Sequence, residues 1–333
     1  MRAPVRTAHG LWVDRDGVIV RLEDETGTAG YGEAAVIPWF GTESADDVVA
    51  ACRELGDKVD NERLAALPKR LACLRNAIAG ACNGTAISDL PSNKTLGVAA
   101  LLPAGRAAIA AIDPKAGAGF RVFKWKVGVA DAADELALLD DVCAALPGGG
   151  KLRLDANGAW DRRTAERWFE RCAERPVEFV EQPCFAAAGE TATRRGKSDD
   201  LLRGLAESYP TPVALDESIA GDTDIERWIA AEWRGIFVVK PALLGDAAGG
   251  LKKLARAKAD VVFSSALETA VGARMALRLA FSWVTPKGTP RALGFGVWPL
   301  FAEALFNGPA AAAFLRAKDV ERLNPEAVWN ALS

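Results

Sequence analysis

The 333-residue sequence predicts a (β/α)8 barrel (TIM-type) of the α/β class with an N-terminal α+β capping domain. Three observations carry that prediction. From about residue 96, eight apolar, β-rich runs alternate with amphipathic helical stretches over about 200 residues. From the second run on, each ends in a polar residue or a glycine: Lys126, Asp155, Glu181, Asp216, Lys240, the pair Ser264 and Ser265, and Gly294 with Gly296. The steps are 29, 26, 35, 24, 24 and 30 residues, about one βα unit each. Finally, no Gly-rich phosphate fingerprint follows the first strand, which argues against a doubly wound sheet.

The elements follow in order. Residues 5–36 alternate short apolar runs with Asp-Gly and Thr-Gly turn signals and read as a β-meander. Helices are expected around 43–56, opened by Thr42 or Ser44, and around 68–82. Residues 1–95, with part of the tail from about 305 to 333, are assigned to the cap and 96–304 to the barrel. The barrel runs are GVAALL, FRVFKWKV, KLRLDA, VEFVEQP, TPVALDES, GIFVVKPA, DVVFSSA and RALGFGVW, with helices expected at 132–146, 161–174, 222–232, 246–258 and 268–282. The stretch AAAGETATRRGKSDD, residues 186–200, reads as an exposed irregular insertion, and the Ala-rich tail after 305 reads as helical.

Composition narrows the function classes. A net charge of -3 and a pI near 5.5 argue against nucleic-acid binding. No apolar run approaches the ~20 residues of a membrane span, and the N-terminus lacks a signal-peptide core, so a cytoplasmic protein with small-molecule partners is expected. Six cysteines without C-x-x-C spacing point to buried free thiols, not a zinc site. His9 is the sole histidine and is assigned a surface or structural role. Acid–base chemistry would therefore rest on lysines and carboxylates.

FKWKVG, residues 123–128, places Lys124 and Lys126 on one strand face and Phe123, Trp125 and Val127 on the other. A charged strand face is ordinarily solvated. Here, however, Asp155, Glu181 and Asp216 end the next strands, and three converging carboxylates would repel one another unless a cation neutralised them. All-oxygen ligation suits Mg2+ or Mn2+. Lys126 and Lys240 would flank that centre from opposite sides of the barrel mouth. A lysine that is partly desolvated beside a cation can act as a base near neutral pH, while the ion stabilises an enediolate. On this reading Lys126 is the base, and Lys124 tunes it and helps keep it deprotonated.

The K-x-K of FKWKVG, DANGAW, EQP, LDES and FVVKP, in this order and spacing, resemble the enolase superfamily and more narrowly its muconate-lactonizing-enzyme subgroup. GYGEAAVIPWFGTES resembles the strand and mobile loop of that family's capping domain. The resemblance implies that Asp155, Glu181 and Asp216 ligate Mg2+, that Lys126 abstracts a proton and returns it to a departing hydroxyl, and that Lys240 stabilises the enediolate by charge. It implies that Asn157 and Glu217 neighbour the ligands, that Ser264 and Ser265 offer hydroxyls and N–H groups to a succinyl carboxylate, that Gly294 lies at the substrate, and that Pro38, Trp39 and Phe40 form an apolar lid. SSALETAVG and LGFGVW are most similar to the subgroup's dehydratases, which convert 2-succinyl-6-hydroxy-2,4-cyclohexadiene-1-carboxylate to o-succinylbenzoate in menaquinone and phylloquinone biosynthesis. Its N-succinylamino acid racemases and dipeptide epimerases are the alternative.

Overall fold

A computed structural model describes residues 1–333 except 3, 8–9, 84–89, 187–188 and 287, so the expectation for His9 lies outside the described residues. The N-terminal strands form two separate antiparallel pairs, β1 (Val5–Thr7) with β2 (Gly10–Trp12) and β3 (Val18–Glu23) with β4 (Ala29–Ala34), where the sequence suggested one meander. The reason lies between β2 and β3. There the Arg15 guanidinium turns inward and donates to the carbonyls of Val36 (2.7 Å) and Ala266 (3.3 Å), which draws the chain out of the sheet.

Ser44, not Thr42, caps the helix Ala45–Leu55: its hydroxyl accepts from the Asp47 N–H while Asp47 accepts from the Ser44 N–H. The short helix Asn61–Ala66, held by its Asp60 cap, was not expected from the sequence, and Ala72–Asn83 follows it. This last helix packs backbone to backbone against β4. A Cβ added at Gly30 or Gly32 would lie 1.8 Å from the carbonyl oxygens of Ala81 and Ala77 respectively.

β5 (Thr95–Gly97) leads into the barrel, whose strands β6 (Ala100–Leu102), β7 (Val122–Lys126), β8 (Lys151–Asp155), β9 (Val177–Glu181), β10 (Val213–Leu215), β11 (Ile236–Val239) and β12 (Asp260–Phe263) run parallel in sequence order. The eighth run contributes no full strand. It closes the ring through parallel bridges from Leu293 to Val98 and from Gly294 to Ser264. Glycine is needed there because a Cβ on Gly294 would stand 2.5 Å from the Ser264 Oγ, and one on Gly296 2.3 Å from the Ala99 carbonyl oxygen.

Seven helices, Ala107–Gly117, Ala132–Ala145, Arg162–Cys172, Ala192–Ser208, Asp222–Ala230, Ala247–Arg256 and Ala270–Ser282, each follow one strand from β6 to β12. Ala192–Ser208 corrects the reading of 186–200 as an insertion: Thr191 caps a full barrel helix whose first turns are polar because they face solvent. The tail is likewise only partly helical. β13 (Phe314–Arg316) pairs antiparallel with β5, and the helices Ala317–Glu321 and Pro325–Leu332 follow, with Trp329 set against Tyr31 of β4.

Period-two alternation divides the core. Phe123, Trp125 and Val127 are fully buried on the outside of β7, where Trp125 meets Trp168 edge to face and Trp160 stacks on Trp168. Inside the barrel, Phe179, Ala214, Ile236, Val238 and Val262 form a separate apolar cluster. On the same strand faces, one step toward the C-terminal ends, stand Glu181, Asp216, Lys240 and Ser264. The lumen thus holds an apolar cluster, crossed by the buried Arg153 guanidinium over the Phe179 ring, with a polar layer above it.

Because the cap's helix rests on carbonyl groups at Gly32, Gly32→Ala should lower stability by roughly 1–3 kcal/mol, as other overpacked sites do, without altering the barrel mouth. Chemical denaturation would show it as a lower midpoint at unchanged slope; unchanged stability would contradict the close packing of β4 on this helix.

Candidate active site

The ends of β7 to β11 bring six of the expected residues into one ionic layer. The Lys124 ammonium contacts Asp155 at 2.9 Å and Glu181 at 2.7 Å; Lys126 contacts the same Asp155 oxygen at 2.8 Å; Lys240 contacts Asp216. All three carboxylates are almost fully buried. Burial works against ionisation of Asp155, but Lys124 and Lys126 outweigh it and hold its pKa well below the ordinary carboxylate range. Burial also works against the Lys124 ammonium, yet Asp155 and Glu181 raise its pKa. Lys124 is therefore a fixed positive charge that shares an Asp155 oxygen with Lys126. Lys240 differs: burial lowers its pKa to about 7, and it lies 4.8 Å from the Phe40 ring centre.

Asn157 links this layer to a further carboxyl. Held at φ 45°, it accepts from Lys126 at 2.8 Å and donates to Glu217 at 2.9 Å, and its backbone N–H reaches Asp155. The other Glu217 oxygen is buried without a partner, and burial, reinforced by the charge of Asp155, raises the Glu217 pKa to about 8. Among the described residues no three acidic, histidine or cysteine side chains form a ready-made metal cage, because the ammonium groups draw the carboxylates toward themselves. The donor chemistry still fits a hard divalent ion. Asp155, Glu181 and Asp216 offer oxygen ligands on adjacent strands, three ammonium groups now balance their charge, and Glu217 holds a further ionisable carboxyl beside them.

Above the layer lies a cavity of about 120 Å3, lined by Lys124, Lys126, Asp155, Asn157, Asp216 and Lys240 on its floor. Trp12, Trp39, Phe40, Leu101 and Leu300 form apolar walls. The 3-10 turn Pro38–Phe40 of the cap supplies the expected lid, and Trp39 packs edge to face with both Trp12 and Phe40. Glu181 and Glu217 sit beneath the cavity surface rather than on it.

The serines have partners within the protein. Ser264, Ser265 and Gly294 line the cavity, but the Ser264 hydroxyl donates to the Gly294 carbonyl and the Ser265 hydroxyl to Glu268. The Ser264, Ser265, Ala266 and Leu267 N–H groups are also taken, by the Val239 and Gly294 carbonyls, Glu268 and the Ser265 Oγ. In this arrangement those hydroxyls and N–H groups hold the shape of the turn itself. Glu268, which the sequence reading missed, anchors it. The neighbouring Glu33 of β4 accepts from the Thr269 and Gly272 N–H groups at the start of the helix Ala270–Ser282, tying cap to barrel.

Comparison with known proteins places this geometry. Residues 107–313 match the family model described as enolase C-terminal domain-like. The o-succinylbenzoate synthase of Thermosynechococcus vestitus is 38% identical over 304 residues, covering 89% of each chain. The crystal structure of o-succinylbenzoate synthase from Thermosynechococcus elongatus, complexed with Mg in the active site, superposes with a TM-score of 0.76 at 38% identity over 89% of each chain. A dipeptide epimerase from Enterococcus faecalis, complexed with Mg and the dipeptide L-Leu-L-Tyr, gives a TM-score of 0.79 at 20% identity over 95% of this chain and 93% of its own, a likeness of fold.

Burial, with the charge of Glu33 adding to it, pushes the Glu268 pKa up to about 7. The folded chain therefore holds this proton across a pH range in which the unfolded chain releases it. The resulting stability is complete below the ordinary carboxyl pKa and is lost as pH rises through about 7. Glu268→Gln should accordingly gain in stability relative to the parent between pH 5 and pH 8, by an amount on the order of 2–3 kcal/mol, read in chemical denaturation at each pH. A difference that stays constant with pH would show that Glu268 is not held protonated.

Proposed function

The chain belongs to the enolase C-terminal domain-like family, and from that premise we propose that it is a Mg2+-dependent carbon–oxygen lyase that dehydrates 2-succinyl-6-hydroxy-2,4-cyclohexadiene-1-carboxylate to o-succinylbenzoate and water. The observation that carries this reading is the placement of Lys126 and Lys240 on opposite sides of one carboxylate layer, at the ends of strands β7 and β11, under an apolar lid. The 38% identity to an o-succinylbenzoate synthase over 89% of both chains supports it.

Asp155, Glu181 and Asp216 would hold the ion, which when bound supplies Lewis-acid stabilisation of negative charge on the substrate carboxylate. The chain's own residues do the rest. Lys126, placed by Asp155 and Asn157, removes the proton α to the carboxylate and delivers it to the hydroxyl leaving from the same face. One C–H and one C–O bond break, a ring double bond forms, and water departs. Lys240, as an ammonium on the other face, stabilises the enediolate. Trp12, Trp39, Phe40 and Leu101 pack around the ring and exclude bulk water.

The same opposed lysines would also serve a 1,1-proton transfer on an N-succinylamino acid, and this placement is what keeps that second reading open. A dipeptide substrate fits less well, since LGFGVW offers no Asp-x-Asp for an ammonium group.

Loss of the cyclohexadiene absorbance with purified protein and Mg2+, run beside α-deuterium exchange on N-succinylamino acids, separates the two. Rapid EDTA-sensitive dehydration without exchange is expected; exchange with slow dehydration would make the chain a racemase. Asp155→Asn should lower turnover by about 100-fold or more with the fold intact, and retained activity would overturn the metal assignment. Lys126→Ala should lower dehydration by about 1,000-fold. If Lys240→Ala alone did so, the two lysines would exchange roles.

A further inference from the structure

Directly after Lys126 the chain makes a turn whose N–H groups converge on one buried carboxylate. The Glu135 Oε2 accepts from the Gly128 N–H at 2.6 Å, and its Oε1 accepts from the N–H groups of Val129 (3.1 Å) and Ala130 (3.0 Å). Glu135 is only 1% exposed although it belongs to the first turn of the helix Ala132–Ala145, where an acidic side chain ordinarily faces solvent. The turn is confined from the other side as well. Gly128 has φ +76°, and a Cβ there would stand 2.7 Å from the Ala159 Cβ and 3.2 Å from the Ala156 carbonyl oxygen. Ala156 and Ala159 belong to the DANGA segment that carries Asp155 and Asn157, the two partners of the Lys126 ammonium. The Val127 N–H meanwhile donates to the Asp155 carbonyl.

We propose that Glu135 is a positioning residue for the reaction. By gathering the three N–H groups that follow Lys126, it presses the end of β7 against the Asp155–Asn157 segment and so fixes where the Lys126 ammonium stands. The inference rests on the reading of Lys126 as the base. Glu135 touches neither substrate nor ion; it acts through the backbone. A lysine on four flexible bonds is located by its strand end and its acceptors, and a displacement of about 1 Å at a reacting group can cost on the order of 100-fold in rate.

The two carboxylate oxygens make the test graded. Glu135→Gln, with its amide oxygen toward Val129 and Ala130, keeps two of the three acceptor contacts and sets an N–H2 donor against the Gly128 N–H, whereas Glu135→Ala loses all three. Glu135→Gln should lower kcat by about 10-fold and Glu135→Ala by about 100-fold, with KM within about threefold of the parent in both, because the cavity walls are untouched. The distinguishing readout is 13Cε-lysine NMR of the folded protein. In Glu135→Gln the Lys126 resonance should shift while that of Lys240, across the barrel, stays in place. A parent without dehydratase activity would defeat the proposed function while leaving this NMR test intact. An unmoved Lys126 resonance in Glu135→Gln would overturn the positioning role, as would loss of activity entirely through KM.

Discussion

The site depends on one constraint: three carboxylates and three ammonium groups must share the top of a barrel, above a largely apolar cluster in its lumen. Isolated charges there would cost several kcal/mol each. Pairing resolves this with little slack, since Lys124 bridges Asp155 and Glu181 and shares an Asp155 oxygen with Lys126. The assignment of roles follows from the pairing. The lysine gripped by two carboxylates is locked in its charged form, while the one that is most buried, Lys240, is the one whose proton is held loosely. A layer whose charges already cancel can accept a divalent ion by releasing protons, and Glu217, whose pKa burial raises to about 8, is the group beside it poised to do so.

The remainder of the fold serves that layer. The Phe179, Ala214, Ile236, Val238 and Val262 plug blocks water from below, and the Pro38–Phe40 turn covers it from above. Cap and barrel are joined at the rim: Arg15 binds one carbonyl of each, and Glu33 of β4 caps the helix that follows the Ser264–Leu267 turn. The lid is therefore anchored to the wall it closes on. Glu135 performs the analogous task on the opposite side, where the base is mounted.

Much of this was legible in the sequence because a barrel writes its active site at regular intervals. The spacing from Lys126 to Gly294 located the polar layer, and alternation in FKWKVG located the lysines on its inner face. Residues whose burial arises from long-range packing could not be read this way. Glu33, Glu135 and Glu268 look like solvated acids of a strand, a helix and a loop until folding places backbone N–H groups around them. The polar start of Ala192–Ser208 disguised a helix as an insertion, since an outer helix needs only a narrow apolar stripe, here Leu201, Leu202 and Leu205. Ser264 and Ser265 were rightly placed at the cavity, but hydrogen-bond partners are set in three dimensions, and theirs turned out to be protein groups.

The most direct test of the account is titration calorimetry of Mg2+ into the purified chain and into Asp216→Asn, followed in two buffers of different ionisation enthalpy. One ion should bind per parent chain with release of protons, and the variant should bind at least tenfold more weakly, on the order of 1.4 kcal/mol or more. Equal binding by both, or binding without proton release, would contradict a carboxylate layer built to exchange its protons for a divalent ion.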